Sequence, residues 1–107
     1  MDRILTRTEE YLLLAVIKLG KSAYPVTIFN EIRKADTSGG TLGAIYLPLQ
    51  RLEESGLLTS YLGHPTAERG GKSRRYYRIT EDGLKALEAA RKTQEAMWRG
   101  IKWVPAE

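Results

Sequence analysis

The chain has 107 residues, 42% hydrophobic and 28% charged, with 17 Lys and Arg against 13 Asp and Glu, a net charge of +4. That is enough for one hydrophobic core and too apolar for an intrinsically disordered chain. With 0 Cys and 1 His there is no disulfide framework and no thiolate metal site, and no apolar run approaches the roughly 20 residues that span a bilayer. The start, MDRILTRTEE, carries acids and lacks a cleavage-site pattern, so no signal peptide is expected and a cytoplasmic location follows.

The first helix is expected from a cap at Thr6 or Thr8, with Glu9 and Glu10 in its first turn where the helix dipole favours acids. Residues 11–19, YLLLAVIKL, are apolar on almost every side. A helix of that kind is buried on most sides, and in so small a chain this implies that a second chain covers part of it, with Leu12 and Val16 facing the partner. Gly20 ends the helix, and KSAYP (21–25) is a turn. Pro25 suits the first position of a second helix, where its missing N–H costs nothing. PVTIFNEIRKA places Ile28, Phe29 and Ile32 on one side and polar residues on the other.

After the loop DTSGG (36–40), a third helix is expected from Thr41 to the exit at Gly56, with Ile45, Leu49 and Leu52 on one face. Pro48 interrupts it. A proline inside a helix loses a hydrogen bond and clashes with the preceding turn, at a cost of about 3 kcal/mol. The helix can start late, break into two, or kink at Pro48; the continuous apolar face favours the kink.

LLTSYL (57–62) and RRYYRIT (74–80) have strand composition around the polar, glycine-containing loop 63–73, which predicts a β-hairpin. Alternation lets only one of Tyr76 and Tyr77 pack under the helices, leaving the other exposed. Thr80 then caps a last helix, with Glu81 and Asp82 in its first turn. Leu84, Leu87, Ala90, Met97 and Ile101 run down it, and WVPAE (103–107) is expected to fray. The apolar groups of this helix exceed what a monomer this small can cover, so Leu84, Leu87, Ala90, Met97, Trp98 and Ile101 are expected at a dimer interface.

The order helix, helix, helix, hairpin, helix is that of a winged helix-turn-helix followed by a dimerisation helix. The fold class is therefore mainly α with a small β-hairpin. Residues 1–80 form the winged unit and 81–107 the dimerisation helix and tail. In this layout the third helix enters the major groove and the hairpin lies as a wing against the DNA backbone. Arg69, Lys72, Arg74, Arg75 and Arg78 fall in a stretch, 69–78, that contains no acid, which is the footprint of a polyanion partner. A solvated loop kept soluble by charge has the same composition.

Three stretches resemble the PadR family of transcriptional regulators. TLGAIYLPLQRLEESGLL (41–58) resembles its recognition-helix signature, SRRYYRITEDGLKAL (73–87) its exit from the wing, and YLLLAVIKLGKSAYPVTIFNEI (11–32) its opening helix pair. Two positions depart from the pattern. Pro25 stands where many members have glycine, and Leu47 separates Tyr46 from Pro48 where many members have Tyr-Pro directly. The resemblance implies a regulator, most simply a repressor, that dimerises through its last helix and binds a near-palindromic operator in double-stranded DNA. Some relatives with a short C-terminal helix stack planar ligands on a tryptophan, which would make Trp98 a ligand residue; plain packing of Trp98 is the competing explanation. An effector would act by changing the distance or angle between the two DNA-binding units.

On DNA, Thr41 and Ala44 are expected near base edges and the Tyr46 hydroxyl on a phosphate. Gln50 and Arg51 face outward, where Gln pairs with adenine and Arg with guanine. Tyr46 as a half-buried packing residue and Arg51 ion-paired to Glu54 are the alternatives. In the wing, Arg69, Lys72, Arg74 and Arg75 are the expected phosphate or minor-groove contacts.

No enzyme is expected and no cofactor. GGKS (70–73) echoes a phosphate-binding loop, but Thr66 stands where that motif needs glycine and a strand follows where it needs a helix. His64 next to Pro65 has no catalytic partner in the sequence. Two other roles share the fold: a winged helix used for protein–protein association, and a ligand sensor built around Trp98.

Overall fold

The computed structural model describes residues 4–64, 70 and 73–102. Arg69, Lys72 and the expected frayed end at 103–107 lie outside the described residues. The elements are α1 (Arg7–Leu19), a 3-10 turn (Gly20–Ser22), α2 (Pro25–Ala35), a 3-10 turn (Leu42–Ile45), α3 (Tyr46–Glu54), β1 (Leu58–Leu62), β2 (Arg75–Ile79) and α4 (Glu81–Trp98). The class is the expected one, mainly helical with a two-stranded antiparallel hairpin.

Local chemistry sets the ends of these elements. Thr6 begins α1 with a reciprocal capping box: its Oγ1 accepts from the Glu9 N–H at 3.1 Å and its own N–H donates to Glu9 Oε1 at 2.8 Å. Pro25 opens α2, and the Tyr24 N–H just before it donates to Thr27 Oγ1 at 3.0 Å. Thr80 closes one element and opens another. Its hydroxyl accepts from the Gly83 N–H (3.0 Å) and donates to the Gly56 carbonyl (2.7 Å), so the start of α4 is tied to the exit of α3.

The core gathers one face of each helix over the inner face of the hairpin. Leu12, Leu13, Ile28, Leu49, Leu52 and Leu58 are fully buried. Each such side chain contributes about 1.5–3 kcal/mol of transfer free energy. In the hairpin, Leu58 pairs with Ile79, Ser60 with Tyr77 and Tyr61 with Tyr76. The far edge of β2 is stitched to the α1–α2 connection, where the Tyr77 N–H donates to the Ala23 carbonyl at 2.9 Å. Tyr77 is the tyrosine that packs under the helices. Tyr76 is half-buried rather than exposed, because its ring stacks on Tyr61 and meets Tyr24 edge-on.

Three expectations are corrected. There is no α-helix from Thr41 kinked at Pro48. Thr41 is extended, residues 42–45 form a 3-10 turn, and the α-helix begins at Tyr46, so Pro48 lies in its first turn. N–H groups there have no intrahelical partner, and the proline's missing donor is harmless. The tighter turn takes up the residues that a continuous helix would have set against the proline ring.

Leu12 and Val16 do not face a partner: the chain's own core covers them, at 0% and 3% exposure. The apolar side chains that α1 leaves to solvent are Leu14 and Ile17. Finally, α4 ends at Trp98, and Ile101 follows a left-handed Gly100 (φ +83°) beyond the helix rather than continuing its stripe.

Candidate nucleic-acid interface

The 3-10 turn and the first turns of α3 make one exposed stretch. Ile45, Leu49 and Leu52 turn inward and are buried. Thr41, Ala44, Tyr46, Leu47, Gln50 and Arg51 are all exposed. Of the expected contact residues, the structure therefore brings Thr41, Ala44, Tyr46, Gln50 and Arg51 together on or beside one helix end. Arg51 makes no ion pair with Glu54, whereas Glu31 and Lys34 pair on α2 and three pairs lie along α4. Its guanidinium is available to a ligand. Tyr46 is about half-exposed rather than packed into the core.

The wing arginines that the structure describes are held by neighbours. The Arg74 guanidinium lies 4.4 Å from the centre of the Tyr24 ring, and Arg78 lies 5.7 Å from that of Tyr61. Together with the Tyr24–Tyr76 and Tyr76–Tyr61 contacts, this makes a run of three aromatic rings with an arginine at either end, on the outer face of the hairpin. Gly63 belongs to the same arrangement: its N–H donates to the Arg74 carbonyl at 2.8 Å, and a Cβ there would stand 2.5 Å from the Tyr76 ring.

Arg75 lies on the other face. Its Nη1 donates to Ser60 Oγ at 2.9 Å, and Ser60 donates to Glu53 Oε2 at 2.6 Å. This three-residue chain connects β2, β1 and α3, so the wing and the exposed helix keep a fixed relation. Beside it, burial pushes the Tyr77 phenol above its ordinary pKa, and the Glu53 carboxylate adds to the shift. In the α2–α3 connection, the Ser38 hydroxyl and N–H both donate to the Asp36 carboxylate and hold its pKa below the usual value.

Sequence reasoning left out Leu47 as an outward position, which a helical projection from the true start at Tyr46 places on the exposed face. It also missed the Arg74–Tyr24 stack, whose partners are too far apart in the chain for any local pattern to join them.

A second feature lies along α4. Ile4 and Leu5 face Ala90, Met97, Trp98 and Ile101 across an open groove of about 740 Å³. Leu84, Met97, Trp98 and Ile101 are exposed, whereas Leu87 and Ala90 are half-buried against the chain's own core. Among the described residues no group of three His, Asp or Glu is placed to hold a metal. No helix among them is long and apolar enough to cross a membrane.

A three-helix core carrying an exposed third helix and an antiparallel hairpin defines a winged helix-turn-helix protein. The family model of the transcriptional regulator PadR-like family matches residues 13–89, and the chain belongs to that family. It is a family of regulators, not of enzymes.

The chain is similar to a PadR family transcription regulator from Clostridium difficile R20291 (32% identity, 84% of this chain and 86% of that one, TM-score 0.58). It is also similar to a transcriptional regulator from Clostridium thermocellum (29% identity, 85% of each chain, TM-score 0.70). A third similar structure is a PadR-like transcription factor from Bacteroides fragilis (26% identity, 82% of this chain and 81% of that one, TM-score 0.65). No curated protein matches in sequence.

Proposed function

We propose that the chain is a cytoplasmic, homodimeric DNA-binding regulator that represses transcription from a near-palindromic operator. The observation that carries this is the exposed stretch from Thr41 to Arg51, set beside a basic hairpin. The N-terminal turns of a recognition helix are the part that reaches base edges, and Gln50 and Arg51 bring side chains that form two-bond pairs with adenine and guanine. Residues 1–80 serve as the DNA-binding unit and 81–107 as the dimerisation element. The exposed Leu84, Met97, Trp98 and Ile101 give the second copy its contact. Two recognition helices then enter successive major grooves about 34–36 Å apart.

Arg69, Lys72, Arg74 and Arg75 supply charge to the backbone on either side. Each phosphate neutralised steepens the salt dependence of binding by about 0.9 in log–log slope. Arg74 and Arg75 do so from fixed positions, on Tyr24 and Ser60.

Selection of binding sequences from a random duplex pool, followed by fluorescence anisotropy across a salt series, tests this. A near-palindrome is expected, and Arg51→Ala is expected to cost about 1–3 kcal/mol and to relax preference at one base pair per half-site. Equal binding of all sequences, vanishing at moderate salt, sinks the proposal and leaves a winged helix that docks on protein.

The groove beside Trp98 favours a second role in the same molecule. A planar effector stacked on Trp98 between the two copies would change the angle of α4, and quenching of tryptophan fluorescence by planar aromatic cations tests it.

A further inference from the structure

We infer that Leu47 is a specificity-determining residue that reads the 5-methyl group of thymine in the floor of the major groove. The inference rests on the DNA-binding role proposed above and adds to it the identity of one base.

Position is the first ground. At roughly 100° per residue, Leu47 lies about 160° around the helix from Leu49 and about 140° from Leu52, nearly opposite the face α3 gives to the core. Gln50 and Arg51, one turn on, lie to either side of its direction. Leu47 is therefore at the centre of the outward face, in the first turn of α3, and 52% of its surface is exposed.

Chemistry is the second ground. A single exposed leucine is ordinary on a protein surface. At the centre of a helix face laid into the major groove it is not, because that side chain meets the groove floor. Base edges there present hydrogen-bond donors and acceptors that an aliphatic side chain leaves unpaired, and one apolar group, the thymine methyl. Leu47 is thus compatible with thymine by elimination. Gln50 and Arg51 keep the polar edges of neighbouring pairs for themselves.

The 3-10 turn makes this possible. It starts the α-helix at Tyr46 and sets Pro48 at its third position, half-buried beside the core. Leu47 is thereby left as the outermost side chain of the first turn.

The test starts from the operator obtained by selection. Each thymine of a half-site is replaced singly by deoxyuridine, which removes the methyl group and nothing else, and binding of wild type, Leu47→Ala and Gln50→Ala is measured by anisotropy. At one or two positions per half-site, uracil should weaken wild type by about three- to tenfold, the scale of burying one methyl or two. Leu47→Ala should bind more weakly and be indifferent to uracil at those positions, while Gln50→Ala should keep the wild-type sensitivity. A thermal melt close to wild type shows that the Leu47→Ala variant is folded, and repeating the selection with Leu47→Asn should change the preferred base there alone.

A selected operator that is insensitive to uracil throughout, or lacks thymine beneath α3, overturns the inference and leaves the regulator proposal standing. So does equal uracil sensitivity in Leu47→Ala. A pool that yields no preferred sequence overturns both.

Discussion

Along residues 5–79, the inward side chains of three helices and a hairpin are covered by one another, down to the complete burial of Leu12, Ile28 and Leu52. Along residues 91–100, every side chain is exposed. Both regions contain helix, and Thr80 with the first half of α4 joins them, yet only the first is finished by the chain itself.

The far half of α4 has no core to hold it. Its visible supports are i,i+4 ion pairs, Arg91 with Glu95 and Lys92 with Glu88, each worth at most about 0.5 kcal/mol at the surface. An isolated helix of this length is marginal in water. The contrast teaches that the surface proposed to face DNA is preformed within one copy, whereas the C-terminal helix leaves its apolar side chains uncovered. The proposed dimer is what completes it.

Three variants break or sharpen this contrast. Leu52→Ala strikes the finished region: it should lower unfolding free energy by about 2–5 kcal/mol, measured by urea denaturation, because the cavity is left in a packed core. A loss below about 1 kcal/mol would mean that the core is looser than its burial implies. Met97→Asp with Trp98→Asp strikes the unfinished region. It should raise the dimer dissociation constant about 100-fold in sedimentation equilibrium, about 2.7 kcal/mol, through unpaired charge in an apolar contact. An unchanged dimer would place the interface elsewhere, with Leu14 and Ile17 on α1 the next candidates. Thr80→Ala strikes the junction and should cost about 1 kcal/mol in thermal unfolding through loss of the cap. A null result there would mean that α4 starts without help from its side-chain cap.

What could be read from sequence followed from range. Pro25 at the start of α2 and the Thr80 cap on Gly83 act within one turn, so these roles are legible without any knowledge of the fold; the first cap is narrowed to Thr6 or Thr8, and the Thr80 bond to Gly56 is not legible. The hairpin was legible because two strand-like runs flank a polar loop. Pro48 was not, because two local rules conflict: the apolar spacing of Ile45, Leu49 and Leu52 asks for one helix, and the proline ring asks for a break. The 3-10 turn satisfies both, and a pattern with a single period does not represent it. Leu12 and Val16 were misplaced for a different reason. An all-round apolar helix shows that much will be buried, but not by which chain. Within the candidate interface, Gln50 and Arg51 were legible as outward positions, whereas the seats of Arg74 and Arg75 depend on Tyr24 and Ser60, which only the fold brings near.

Gly83 gives the junction a mechanical meaning. It is buried where α4 leaves the hairpin, and a Cβ there would run into the Leu57 carbonyl oxygen and the Ile79 side chain. The absence of a side chain lets α4 lie flush at its root, and from Gly83 the helix runs on to Trp98, roughly 23 Å away. A long rigid arm on a tight fulcrum magnifies angle into distance: a tilt of about 10° at Gly83 displaces the far end by about 4 Å. A single methyl group at this position is therefore a gear change. In the proposed dimer it would reset the span between the two winged units, and with it the length of DNA they straddle, without altering any residue proposed to meet a base.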